Sequence, residues 1–217
     1  MRFQVYMTIA VIIVLVVYFL WRRGIGAPPE KQKTRLHLMV DLETCSLAPN
    51  AYIRSIGACF FDVNGVGSQF YESCDGPDQP GSDVDPETVK WWENQTLEAR
   101  NALKNDKHIN LEVTLHNFHH WVAEEMKVYS LKGDRSDVEV WLWGNGGDFD
   151  PVILSNAYKR CKIEQPWQWY NTRCYRTLKN IFKNIRPENF EGEKHNALAD
   201  AVHQARHASS ILRHVYY

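Results

Sequence analysis

The sequence predicts an α/β domain built on a mixed sheet and covered by helices. Three observations predict it. Three strand-like runs follow one another between residues 36 and 74; strand and helix patterns alternate after them; and an apolar N-terminal block is set apart by the Pro-rich, charged stretch "GAPPEKQK".

The N-terminal block, Val5 to Trp21, is 17 residues long and carries no charge. As a helix it rises roughly 25 Å at about 1.5 Å per residue, near the lower limit for a bilayer span, and it reads as a transmembrane helix. The alternative is a cleaved signal peptide, but Arg22 and Arg23 stand where a small-residue cleavage site belongs. Arg2 alone precedes the block, while Arg22, Arg23, Lys31, Lys33 and Arg35 follow it. The positive-inside rule then predicts a single-pass protein of the inner membrane with its domain in the cytoplasm. The expected organisation is an anchor over 1–23, a linker over 24–35 and one domain over 36–217, long enough for one substantial core at 44% hydrophobic content.

Within the domain, "LHLMVDL" predicts a first strand, "YIRSIGACFFDV" a second and "SQFYESC", after the turn "NGVG", a third. Consecutive strands joined by short turns imply an antiparallel meander. "DPETVKWWENQ" and "LEARNALKN" predict short helices, the first with Asp85 as N-cap and Pro86 as its first helical residue. "LEVTLHNFHHWVAEEM" is amphipathic. After the polar loop "LKGDRSD", "VEVWLWG" predicts a fourth strand, then a helix runs from about Pro151 to Arg160. "CYRTLKNIFKNI" predicts another helix and "NALADAVHQARHASSILRHVY" a long last one, capped by Asn196.

Charge excludes one class of function. The chain is formally −1, and beyond residue 23 it has 22 basic against 26 acidic residues. This is no polycation that coats nucleic acid, so any polyanion contact must be local, with bound cations offsetting an acidic site. Cys45, Cys59, Cys74, Cys161 and Cys174 form no CxxC pair and suit reduced thiols.

Asp41 and Glu43 end the first strand's apolar run. Residues i and i+2 of a strand face the same side, about 6.6 Å apart along the chain. Like charges so close in a partly buried place are costly unless a cation neutralises them. The alternative is that the strand ends at Val40 and both acids are solvated. "WLWGNGGDFDPVIL" puts Asp150 just past the fourth strand, and a crossover that lays this strand beside the first brings Asp150 towards Asp41. Asp148 is its rival, and either acid can instead cap the helix. Asp150 is preferred because Phe149 and the apolar run after it would lock its segment. In "HNALADA", His195 precedes the Asn196 cap and Asp200 lies about one turn into the helix. Histidine can take a proton from water near neutral pH.

The ordered set "DLE", "NG…FD" and "HNALADA" resembles the DEDDh subgroup of the DEDD 3'-5' exonucleases, over about His37 to Leu212. "SIGACFFD", "VKWWENQ…EAR", "WGNGGDFDPVIL" and "RCYRTL" look like the branch that holds phage and prophage exonucleases and a mycobacterial exoribonuclease. The chain departs at Ser46, where the broader superfamily often has glycine. The resemblance implies a ribonuclease H-like fold in which Asp41, Glu43, Asp150 and Asp200 hold two divalent cations, Mg²⁺ or Mn²⁺, roughly 4 Å apart. It implies His195 as general base, release of nucleoside 5'-monophosphates, and single-stranded nucleic acid or a 3' overhang, DNA or RNA, as partner. Thr44, Asn145 and Trp92 are its candidate substrate contacts. Since adjacent helical residues point about 100° apart, at most one of Trp91 and Trp92 can stack on a base, and both can instead be core.

His203 and His207 have a zinc-like i, i+4 spacing but lack the glutamate of HExxH and a third ligand, so they read as a solvated helix face. "HNFHH" reads as half buried and half solvated, and "GNGG" is no nucleotide fingerprint. Two readings from different classes stand: a membrane-tethered, metal-dependent 3'-5' exonuclease, and a catalytically inactive nuclease-fold module that binds nucleic acid. The second predicts the loss of at least one of the five site residues, and all five are present.

Overall fold

The computed structural model describes residues 2–22, 33–74, 79–103, 109–131 and 137–216. The chain divides into two compact units, Met1–Gln32 and Lys33–Tyr217. Most of the expected linker lies outside the described residues, and its last two residues, Thr34 and Arg35, already belong to the first strand.

The first unit contains helix α1 (Arg2–Arg22). Among the described residues, no helix is long and apolar enough to cross a membrane. This corrects the expected transmembrane anchor, and with it the membrane partner and the inner-membrane location with a cytoplasmic domain. The physical reason is reach. The uncharged apolar block of α1 is 17 residues long and rises about 25 Å, short of the roughly 30 Å hydrocarbon core.

The second unit is a five-stranded mixed sheet in the order β3-β2-β1-β4-β5. β1 (Thr34–Thr44) and β2 (Ile53–Asp62) pair antiparallel, with Asp41 opposite Gly57. β2 pairs with β3 (Gly65–Ser73) to complete the meander. β4 (Val138–Gly144) lies parallel to β1, with Leu38 opposite Leu142, and β5 (Thr172–Cys174) lies parallel to β4. β1 runs through Thr44, so Asp41 and Glu43 are strand residues and not solvated loop.

Alternation along β1 sorts the two faces. Leu36, Leu38, Val40 and Leu42 point into the larger core. There they meet α4 (Leu111–Leu131), through Leu115, Phe118 and Val122, and α5 (Asp150–Arg160), through Ile153, Leu154 and Tyr158. Met39 points the other way, with Cys59, Phe61 and Trp143, and is covered by α7 (Ala197–Tyr216). The face that α7 presents carries Ala201, Ala205 and Ala208, small enough for close approach to the sheet. At Gly57 the approach is closest. A Cβ there would lie 2.1 Å from backbone atoms of Ala197 and Leu198, so only glycine lets the first turn of α7 lie against β2.

Short helices complete the unit. α2 (Pro86–Glu93) is capped by Asp85, whose carboxylate accepts from the backbone N–H groups of Glu87 and Thr88, with Pro86 in the first turn. α3 (Leu97–Ala102) follows. α6 (Tyr175–Ile181) is shorter than expected, because Cys174 belongs to β5 and Phe182 leaves helical geometry. Asn196 caps α7 as expected, its Oδ1 accepting from Leu198 and Ala199.

Candidate active site

Three elements, β1, α5 and α7, converge where β1 ends. Asp41, Glu43 and Asp200 each offer one carboxylate oxygen, and these oxygens lie within 4.8 Å of one another. β1 supplies the first two by its alternation, and α7 supplies the third because Gly57, opposite Asp41, admits its first turn. Asp150 opens α5, and its Oδ1 accepts the backbone N–H of Leu42 at 3.1 Å. Leu42 sits between Asp41 and Glu43, so that bond fixes Asp150 to the same stretch of strand. Asp150 is 3% exposed, whereas Asp148 is exposed. The structure thus brings together Asp41, Glu43, Asp150 and Asp200 and leaves Asp148 outside.

The electrostatics follow from that crowding. Burial, then the charge of Asp200 and Asp150, pushes Glu43 up to about 8, against the opposing pull of Arg54. Burial raises Asp150 to about 7, against backbone N–H groups, that of Leu42 first, which favour its charged form. Asp41 is raised well above the usual carboxylate range, by burial first and then by Asp150, Glu43 and Asp200. Burial also raises Asp200, opposed by the backbone N–H of His195. Two buried and two half-buried acids, all with raised values, are a donor set of hard oxygens, which suits divalent cations.

His195 has a left-handed backbone, φ 62°. Its N–H donates to Asp200 Oδ2 at 3.1 Å, and its ring meets Trp91 edge-on with centroids 4.9 Å apart. Trp91 is 44% exposed, whereas Trp92 is 4% exposed and donates its indole N–H to the Thr44 carbonyl at 2.8 Å. Thr44 is buried, with its hydroxyl donating to the Ser46 carbonyl. Ser46 is buried too: its Oγ donates to Asp83 and accepts from the Ala48 N–H, organising the loop after β1. Asn145 follows β4, and its backbone carbonyl accepts from Arg176.

Two clefts flank the acids. One, of about 490 Å³, has apolar walls, among them Leu47, Trp91 and Phe149, and reaches Glu43 and Thr44. The other, of about 470 Å³, lies on the Asp200 side and is lined by Asn145, Lys179, Lys183 and Arg186.

One residue of the site carried no motif. Gln204, one turn after Asp200 on α7, is buried and donates through Nε2 to Asp41 Oδ1 at 2.8 Å. The only signal was its i+4 spacing from Asp200. The histidine pair also differs from expectation. His207 is buried, bonded to the Tyr175 hydroxyl at 2.8 Å and the Ile185 carbonyl at 2.9 Å, and is not on a solvated face.

A family model described as the 3'-5' exoribonuclease Rv2179c-like domain matches residues 36–212. The chain belongs to this family. It is a 3'-5' exonuclease with an acidic cluster at the end of its first strand. Solved structures resemble this exonuclease across most of its length. The nuclease domain of 3'hExo, a DEDDh family member bound to rAMP, aligns with TM-score 0.54 and 13% identity over 85% of this chain and 95% of that one. Exonuclease X, in complex with 5' overhanging duplex DNA, aligns with TM-score 0.52 and 16% identity over 83% and 93%. The zinc-bound E. coli exonuclease I complex with single-stranded DNA aligns with TM-score 0.52 and 17% identity over 85% of this chain and 41% of that one. Likenesses at such identity show the fold, which is ribonuclease H-like. No curated protein matches the exonuclease.

Proposed function

We propose that this exonuclease removes nucleotides from the 3' end of single-stranded nucleic acid or a 3' overhang by metal-dependent hydrolysis, releasing nucleoside 5'-monophosphates. The name of its family makes RNA the first substrate to test. The observation that carries the reading is the meeting of Asp41, Glu43 and Asp200 within 4.8 Å, with Asp150 hydrogen-bonded into the strand between the first two. These four carboxylates would hold two divalent cations. The chemistry supplied by such ions is activation of the attacking water and stabilisation of the leaving 3'-oxygen.

The remaining steps belong to side chains. His195 takes the proton of the water as its oxygen attacks phosphorus and the bond to the 3'-oxygen breaks. Trp91 presses on the His195 ring and limits its orientations. The apolar cleft of Leu47, Trp91 and Phe149 accepts the terminal base. Trp91 is the exposed stacking face there, and Trp92 holds the Thr44 carbonyl beside the terminal nucleotide. Asn145 lines the opposite side.

The test is degradation of single-stranded RNA, single-stranded DNA and 3'-overhang duplexes, each labelled at either end, with Mg²⁺ or Mn²⁺. The expected outcome is stepwise shortening from the 3' end, stopped by EDTA. Asp41→Asn should abolish turnover and leave the fold intact. Near-normal turnover by that variant at saturating Mg²⁺ would sink the assignment.

A further inference from the structure

The second cleft has a composition that the acid cluster does not explain. One wall is α7, with Asp200 and His203. The facing wall is α6 and the segment after it, with Lys179, Lys183 and Arg186. Among the described residues, none of these three cations forms a salt bridge. Lys179 is half-buried and Lys183 and Arg186 are exposed.

The wall is held in place from behind. His207 bonds Tyr175 at the start of α6 and the Ile185 carbonyl between Lys183 and Arg186. The Ile185 N–H also closes a turn onto the Phe182 carbonyl at 3.0 Å. Lys179 Nζ lies 3.4 Å from Asn145 Oδ1 and Arg176 donates to the Asn145 carbonyl, which ties α6 to the end of β4. A row of cations that form no salt bridge among the described residues, on a fixed support and across a cleft from a cluster of acids, has the charge pattern of a site for a polyanion whose leading end is neutralised by metal.

We propose that this wall is the track for the strand 5' to the scissile bond, with Lys183 and Arg186 contacting backbone phosphates of the non-terminal nucleotides. The inference rests on the exonuclease reading and extends it. The apolar cleft takes the one nucleotide to be removed, and the cationic cleft takes the chain that remains. Contacts to phosphate carry no base information, so the track binds strands of any sequence and gains affinity as the strand lengthens over its first few nucleotides.

The experiment compares the full chain with its Lys183→Glu/Arg186→Glu variant, and with Lys183→Ala/Arg186→Ala to separate lost contact from repulsion. Two substrates are used: a 12-nucleotide single strand, and the p-nitrophenyl ester of thymidine 5'-monophosphate, which has no strand to track. The charge reversal should raise KM for the 12-mer about tenfold or more with kcat changed less than twofold, and leave both constants for the ester at wild-type values. The alanine pair should show the same pattern more weakly. The slope of log KM against log salt should fall by about 0.7 for each phosphate contact removed. An unchanged 12-mer KM, or equal losses on the 12-mer and the ester, overturns the track. Failure of the exonuclease reading looks different: the wild type then hydrolyses neither substrate, whatever the state of the cationic wall.

Discussion

Asp41, Glu43, Asp150 and Asp200 share a volume too small for four negative charges, and each is displaced towards its neutral form. His195 stands beside them, and the task proposed for it is different. Its backbone N–H is spent on Asp200, its ring rests on Trp91, and nothing requires the ring to hold metal. His195→Ala should therefore leave divalent-cation affinity unchanged and slow the chemical step by about 10²-fold or more. The defect should shrink as pH rises, because hydroxide replaces the missing base, whereas Asp200→Asn should stay inactive at high pH. Single-turnover rates across pH, with metal binding followed by calorimetry, separate the two. A His195→Ala enzyme that loses metal, or matches wild type at neutral pH, overturns the assignment. That these five residues lie together was legible because each sits in a short motif with a distinct chemical type. Gln204 was not, since a lone glutamine on a helix has no signature until its partner is known.

The strands and long helices follow from hydrophobic period, and the acids become meaningful only through how those elements pack. β1 was readable from its alternation. β5 was not: three half-buried residues have no period to detect, and only the neighbouring β4 defines them as a strand. The tryptophan pair shows the same limit. Their divergence on α2 follows from helical geometry, but which one faces the core depends on the Thr44 carbonyl that receives Trp92. The docking of α7 against β2 hangs on Gly57. Gly57→Ala puts a methyl carbon into the backbone of Ala197 and Leu198, and overpacking of this kind costs about 1–3 kcal/mol. Thermal melts should fall by roughly 2–4 °C for each kcal/mol. Displacing Asp200 by about 1 Å should lower kcat up to about 10²-fold, more than the lost stability explains. Wild-type kcat in Gly57→Ala would show that α7 does not set the position of Asp200.

For the molecule as a whole, the acid cluster makes stability depend on pH in the direction opposite to ordinary acid denaturation. Glu43 and Asp150 stay protonated in the folded chain up to about 8 and about 7, whereas unfolded carboxylates ionise near about 4. Between those values the folded state binds more protons, so the cluster's contribution to stability falls as pH rises from about 4 to about 8. With EDTA present, the melting temperature of wild type minus that of Glu43→Gln should decline through this window. Mg²⁺ or Mn²⁺ should lift it most at the alkaline end, where the carboxylates are ionised. A difference that rises with pH in EDTA would contradict the raised values. The same cluster ties catalytic competence to the schedule of folding. Gln204 and Asp41, which meet in one hydrogen bond, are 163 positions apart in the chain. A chain that has laid down its sheet but not yet seated α7 on Gly57 has two of its acids in line and the fourth adrift. On the proposed role of Asp200, partly finished copies would be harmless to the nucleic acid around them, and the power to cut would arrive with the last helix.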